Sequence, residues 1–225
     1  NCFTKSKTPG EPVLWNKKII KKNKVSAILI NSGNANVFNG DAGKKSVNKI
    51  ASYLSLKLKI PKNEIYLAST GVIGELLDES KIISKIPFLI DNLSNKKKNW
   101  EQAANAMRTT DTFSKFHSET LSNDNLLHIN GIAKGSGMIY PNMATMLAFI
   151  FTNYDFKISD ISKDFKKIVD NTFNSISVDG DTSTSDMVLL FSIKNHNSLK
   201  IKNKLRSVFL KKLEKLMLKL SHLII

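Results

Sequence analysis

Residues 135–151 read GSGMIYPNMATMLAFIF, and the rest of the chain is best understood outward from this stretch. Gly135, Gly137 and Pro141 mark a turn, because glycine tolerates positive φ and proline fixes its own φ near about −65°. The run from Thr145 to Phe151 that follows is almost continuously apolar. A short run without polar alternation is the pattern of a strand buried on both faces. A hydroxyl, that of Thr145, sits at the head of this run between Ala144 and Met146.

The same grammar of apolar run and small polar loop extends in both directions. Val25–Ile30 (VSAILI) reads as a buried strand, followed by the turn-rich NSGNANVFNGDAG at 31–43. Val47, Ile50, Ala51, Leu54 and Leu58 recur at helical spacing until Pro61, and EIYL at 64–67 reads as a second strand. ASTGVIGE (68–75) is a small-residue loop. Ile82, Ile83 and Ile86 begin a helix that Pro87 interrupts or restarts. Trp100, Ala103, Ala104 and Met107 give a further helical face, stopped by TTDTF at 109–113. His128–Ile132 reads as a strand leading into AKGSGM. Ile161, Phe165, Ile168 and Thr172 mark another helix, VDGDTSTSD (178–186) a polar loop, and MVLLFSI (187–193) a strand. Ile201, Leu205, Val208, Leu213, Leu216 and Leu220 make an amphipathic helix to the end. Its lysines are read as a solvated face of a domain helix rather than as a membrane-surface signal. Strands alternating with helices, without repeats or a low-complexity linker, predict one α/β domain over 1–225.

The chain carries 34 basic and 19 acidic residues, a net charge of +15. Arg108 and Arg206 are its only arginines, and its lysines are not interleaved with aromatics. Arginine is the residue suited to bidentate phosphate and guanine contacts, so nucleic acid is not the expected partner. No apolar run reaches the roughly 18–20 residues of a membrane helix. Cys2 is the only cysteine, which excludes an internal disulfide and favours a reducing compartment. No signal or transit peptide is legible, and the chain reads as cut at both ends.

Much familiar chemistry is absent. His117, His128, His196 and His222 fall in no motif, and no Cys/His cluster suits zinc. GSG lacks the third glycine of a dinucleotide fingerprint, and ASTGVIG lacks the lysine of a phosphate loop. DGDTSTSD looks like a calcium loop, but Leu190 stands where the closing glutamate belongs, so no metal is expected. What remains is a hydroxyl nucleophile without a histidine base. A threonine can use its own α-amine as base once the preceding peptide bond is cut. That amine has a reference pKa of about 7.7–8.0, near the best value for neutral pH. Ala144 leaves its carbonyl open to the Thr145 hydroxyl, and the backbone N–H groups of ASTGVIG could meet a developing oxyanion. The competing reading is a core threonine whose hydroxyl bonds a neighbouring carbonyl.

NSGNAN (31–36), ASTGVIGE, TTDTF, AKGSGMIYPNMATMLAF (133–149) and VDGDTSTSD, in this order, resemble the ornithine acetyltransferase (glutamate N-acetyltransferase) family of arginine biosynthesis. The likeness runs from about residue 1 to about residue 205. It implies a layered α/β sandwich, as in self-processing enzymes of this and the aminopeptidase type. It implies self-cleavage at Ala144–Thr145 into an α part (1–144) and a β part (145–225). Thr145 would then be the nucleophile, taking acetyl from N-acetylornithine and passing it to glutamate; some members also use acetyl-CoA. Thr70 and Gly71 match the oxyanion-hole pair, and Thr109 and Lys134 match substrate-binding positions alongside Thr145. No cofactor or metal is implied, and the assembly would be α2β2. The cytoplasm is the expected compartment, an organelle being compatible with a eukaryotic source. Tyr140, Ser114 and Ser185 depart from the usual alanine, proline and asparagine. Further acidic and polar substrate ligands of the family fall beyond residue 225. A self-processing aminopeptidase, usually with serine as nucleophile, and an inactive fragment or basic binding module are the rivals.

Overall fold

The computed structural model describes residues 1–123, 125–139, 146–194 and 203–225, and has a mixed α/β architecture. The chain divides into two compact units, one formed by Lys5–Thr109 and the other by Asn1–Thr4 with Thr110–Ile225.

In the Lys5–Thr109 unit, strands β2 (Ala27–Asn34) and β3 (Ile65–Val72) pair in parallel, with helix α2 (Gly40–Leu58) as the crossover. A parallel pair requires such a crossover, and the helix spaces Val47, Ile50, Ala51 and Leu54 so that one face is buried. These residues close a core with Ile65 and Leu67 of β3 and with Ile86 of helix α3 (Glu79–Asp91). Helix α1 (Glu11–Ile19) locks onto β3 through two side chains, the first being Trp15, which donates to the Ile65 carbonyl at 2.9 Å. Asn16 donates to the Leu67 carbonyl at 2.7 Å and accepts its N–H at 3.0 Å, as a neighbouring strand would. Helix α4 (Lys97–Ala106) completes the unit.

Three boundaries differ from the sequence reading. Both strands run on into residues expected to be loops, so Ser32, Gly33, Thr70 and Gly71 still lie in the β2–β3 ladder. Pairing to the opposite strand outweighs the low strand propensity of Gly and Ser. Pro87 does not break α3; it sits inside the helix on an exposed face, where a carbonyl left without its helical donor can turn to water. Helix α2 begins at Gly40, inside the stretch read as turns.

The second unit is built on a five-stranded sheet. Its spatial order is β1 (Cys2–Phe3), β7 (Met187–Ser192), β6 (Leu147–Thr152), β5 (Asn125–Lys134) and β4 (Lys115–Asn123). Strands β6 and β7 are parallel and the other pairs antiparallel. The strand expected from Thr145 is β6 and begins at Leu147; Ala144 and Thr145 lie outside the described residues. Helix α5 (Ile158–Asn171) and helix α6 (Asn203–His222) pack on one face of the sheet. The core there joins Leu127, Ile129, Ala148, Ile150 and Val188 to Ile161, Phe165, Phe209, Leu213, Leu216 and Leu220. The lysine-rich final helix is therefore a core helix, as its pattern predicts. Among the described residues no helix is long and apolar enough to cross a membrane.

Strand β4 was not legible in the sequence. Among its described side chains the buried ones are Lys115 and Glu119, so charge stands where a strand pattern wants apolar side chains. It is an edge strand, and inward-pointing charge is one way a sheet blunts an edge. Glu119 meets Lys212 at 3.0 Å, Lys215 at 3.1 Å and Lys219 at 3.8 Å, one stripe of α6, and His117 at 3.2 Å.

Candidate active site

In the first unit the motifs NSGNAN and ASTGVIGE meet at one end of the parallel pair. Ser32 lies opposite Thr70, and Gly33 opposite Gly71. Asn34 pairs with both Thr70 and Val72, a local bulge that turns the strand end. Gly71 has a φ of +130°, and a Cβ there would stand 2.3 Å from the Gly33 carbonyl carbon. Only glycine fits such an approach. The asparagines of NSGNAN hold the surrounding backbone. Asn31 donates to the Asn34 carbonyl at 2.9 Å, Asn34 to the Glu75 carbonyl at 3.0 Å, and Asn36 to the Gly43 carbonyl at 3.1 Å. NSGNAN is thus a brace for the Thr70–Gly71 strand end. Thr70 is buried, and Thr109, exposed, is the last residue of this unit.

In the second unit a group of buried charges gathers at the end of β5. Lys134, the last residue of that strand, is 3% exposed. Burial pushes its pKa down, against the attraction of Asp111 and Asp186, and Lys115 pushes the same way as burial. Asp111 and Lys115 form an ion pair of 2.6 Å with both side chains enclosed. The same Asp111 oxygen accepts the Gly135 N–H at 2.7 Å, tying TTDTF to AKGSG. Thr110 and Ser136 hydroxyls meet at 2.7 Å and add a second tie.

VDGDTSTSD grips both flanks of the stretch that contains residues 144 and 145. Asp179 accepts the N–H groups of Met138 and of Ile139, the latter at 2.9 Å; led by the Met138 bond, these contacts hold its carboxyl below the usual range. On the other side, Asp186 Oδ1 accepts the Met146 N–H at 2.8 Å, and Met187 donates to the Met146 carbonyl at 3.1 Å. Thr4 secures the loop from behind, its N–H on the Asp186 carbonyl at 3.0 Å and its hydroxyl on the Ser183 carbonyl at 2.8 Å. The calcium-like appearance of this motif has another explanation, since Asp179 spends its oxygens on backbone N–H groups. Among the described residues no group of three or more His, Cys, Asp or Glu suits a metal ion.

Three consecutive residues, Thr184, Ser185 and Asp186, each carry an enclosed oxygen without a hydrogen-bond partner among the described residues. Burial pushes the Asp186 carboxyl up to about 7, against the Met146 N–H, the nearby Ser183 and Thr4 hydroxyls and the Lys134 charge. Asp111, Lys115 and Asp186 were not singled out from sequence, although all three lie in or beside the recognised motifs. The available signal was the aspartate content of TTDTF and VDGDTSTSD, which also suits an ordinary turn.

A profile of the ArgJ family matches residues 1–225. The arginine biosynthesis bifunctional protein ArgJ of Bartonella henselae is 41% identical over 191 residues, covering 84% of this chain and 46% of that protein. ArgJ 2 of Clostridium acetobutylicum is 43% identical over 190 residues, covering 84% of this chain and 48% of that protein. The chain therefore spans about half the length of the curated relatives it matches. Among solved structures, arginine biosynthesis bifunctional protein ArgJ from Bacillus halodurans is 31% identical with a TM-score of 0.57, covering 63% of this chain and 74% of that one. Ornithine acetyltransferase complexed with ornithine, from Mycobacterium tuberculosis, is 28% identical with a TM-score of 0.57, covering 62% and 74%. On a family match along its whole length, the chain belongs to the ArgJ family.

Proposed function

We propose that this chain carries the nucleophile of a self-cleaving enzyme that moves an acetyl group from N-acetylornithine to glutamate, in arginine biosynthesis. The observation that carries the reading is the grip of Asp179 and Asp186 on Ile139 and Met146, the two flanks of the Ala144–Thr145 bond. A stretch clamped at both flanks is suited to hold a hydroxyl against its own preceding carbonyl. Thr145 attacks that carbonyl, the acyl group moves from nitrogen to oxygen, and hydrolysis of the ester frees the α-amine. That amine then serves as base while Thr145 takes acetyl from N-acetylornithine and releases ornithine. Glutamate accepts the acetyl group in the second half-reaction, and acetyl-CoA is a candidate alternative donor.

Thr70 and Gly71 are assigned to the oxyanion of each tetrahedral intermediate, and Thr109 and Lys134 to the substrate. A buried lysine suits an α-carboxylate, which would relieve the desolvation of both charges. The reading includes the layered sandwich of the family, an α2β2 assembly of the two cleaved parts and a cytoplasmic site of action. Relatives of this chain supported the choice of substrate: one solved structure is an ornithine acetyltransferase in complex with ornithine.

Denaturing electrophoresis and intact mass test the cleavage, and acetyl exchange between N-acetylornithine and glutamate tests the chemistry. Two pieces meeting at Thr145, with acetyl found on the Thr145 peptide, are expected. An uncut protein without exchange overturns the reading, and peptide hydrolysis without exchange would replace it by the self-processing aminopeptidase.

A further inference from the structure

We propose that Asp111 is a positioning residue for Lys134: it holds the backbone beside that lysine and the charge on its side chain, so that the ammonium meets the carboxylate of an amino-acid substrate. This rests on the proposed function, in which Lys134 binds the α-carboxylate that N-acetylornithine and glutamate share. Asp111 acts on the substrate through Lys134.

Lys134 ends β5, where its ladder partner on β6 is Leu147. Gly135, the next residue, has left the sheet, so strand pairing no longer fixes the chain there. Asp111 Oδ1 accepts the Gly135 N–H at 2.7 Å and so clamps the backbone directly beyond Lys134. The Thr110 and Ser136 hydroxyls, 2.7 Å apart, fasten the residue after that. Ties on two consecutive residues keep the strand end that carries Lys134 from fraying.

Charge joins the two residues independently of the backbone. Lys134 is 3% exposed, and a buried ammonium keeps its proton only beside a counter-charge. Among the described residues the charges that act on it are Asp111, from the loop before β4, and Asp186, from the loop before β7, which attract, and Lys115 of β4, which repels. Asp111 is the stronger of the two attractions. Its side chain is fully enclosed, so salt and water screen it little.

Lys115 shares the same carboxylate. Its ammonium lies 2.6 Å from Asp111 Oδ1, and its side chain is 2% exposed. An aspartate kept only to neutralise Lys115 gains nothing from a second buried ammonium near by, since the two cations repel. A second lysine in this group has a use where an anion is to be received, and one aspartate then serves both.

The test is steady-state acetyl exchange by the whole protein, with N-acetylornithine and glutamate varied in turn. Asp111→Asn is made together with Lys115→Met, which removes the charge that the first change would strand. Asparagine keeps an oxygen for the Gly135 N–H but offers Lys134 no charge. KM for both substrates should rise by about 10- to 100-fold with kcat little changed, the loss expected of one charged contact. The rise should begin at lower pH than in wild type, because a less attracted ammonium loses its proton sooner. In a Lys134→Met background the same two changes should raise KM no further. An aspartate that merely stabilised the fold would lower the melting temperature and leave the pH profile where it was. An unchanged KM overturns the proposal, as does a further rise in the Lys134→Met background. Should circular dichroism show that the combined variant fails to fold, Lys115→Met alone decides. With that competitor gone, Asp111 holds the Lys134 proton to higher pH, so the rise of KM should start later than in wild type, and an unmoved profile overturns the proposal. A wild type that exchanges no acetyl removes the proposed function and the inference with it; one that exchanges, with variants that keep its KM, removes the inference alone.

Discussion

Gly33 and Gly71 face one another across the β2–β3 ladder so closely that a Cβ on Gly71 would stand 2.3 Å from the Gly33 carbonyl carbon and 2.6 Å from the Asn34 nitrogen. Both obstacles are backbone, so no side chain can swing aside. Gly71→Ala must therefore separate two paired strands as well as strain a φ of +130°. Gly74 is the matched control, with a φ of +87° and open space around it. Gly74→Ala should lower stability by about 1–3 kcal/mol, the usual cost of such strain, and Gly71→Ala by clearly more. Urea unfolding of the two variants checks the order.

Thr70 allows the proposed chemistry to be separated from the fold. Thr70→Val keeps the shape and removes the hydroxyl. Under the proposed function its kcat for acetyl transfer falls by about 10²- to 10³-fold, the typical loss for one oxyanion donor. Steady-state rates together with a melting curve distinguish this from unfolding.

The enclosed pair Asp111–Lys115 is a different case. Removing one partner leaves the other charge buried and unmatched. Asp111→Ala should cost about 3–5 kcal/mol, and it also strips the Gly135 N–H of its acceptor. Adding Lys115→Met should recover much of the loss, because two apolar side chains no longer need solvation. A double-mutant cycle in urea measures the coupling.

Acid should weaken the second unit through Glu119. Burial works to raise this carboxyl, but hydrogen bonds from Lys212, Lys215 and His117 win and hold it down to about 2. A folded-state value below the unfolded one contributes stability at higher pH, lost as pH falls from about 4.5 toward 2. The lysines are partly exposed, so solvent screening limits the effect to on the order of 1–2 kcal/mol. Melting temperatures between about pH 5 and pH 2 should fall less steeply in Glu119→Gln than in wild type.

Phe209 anchors α6 to the sheet. It is fully buried and stacks on Tyr154 with ring centroids 4.5 Å apart. Phe209→Ala should cost about 3–5 kcal/mol. A calorimetric melt reads it directly.

What was legible in the sequence is what local pattern controls. The apolar runs at 25–30, 64–67, 145–151 and 187–193 mark four strands, and helical spacing marks α2, α5 and α6, because burial of one face follows period alone. Five ordered motifs carried the family. Strand β4 stayed hidden because Lys115 and Glu119 occupy its inward positions, and a charge there is stable only with partners from elsewhere. Lys212, Lys215 and Lys219, on α6, are such partners for Glu119. Asp186 stayed hidden for a related reason: its hydrogen bond to Met146 spans 40 positions, and nothing in DGDTSTSD alone separates that from a turn. The sequence by itself determined most of the strands and helices and the family, and it marked the candidate nucleophile. Tertiary structure alone decided which charges are buried and which backbone groups they hold, because desolvation and pairing depend on neighbours that are distant in the chain.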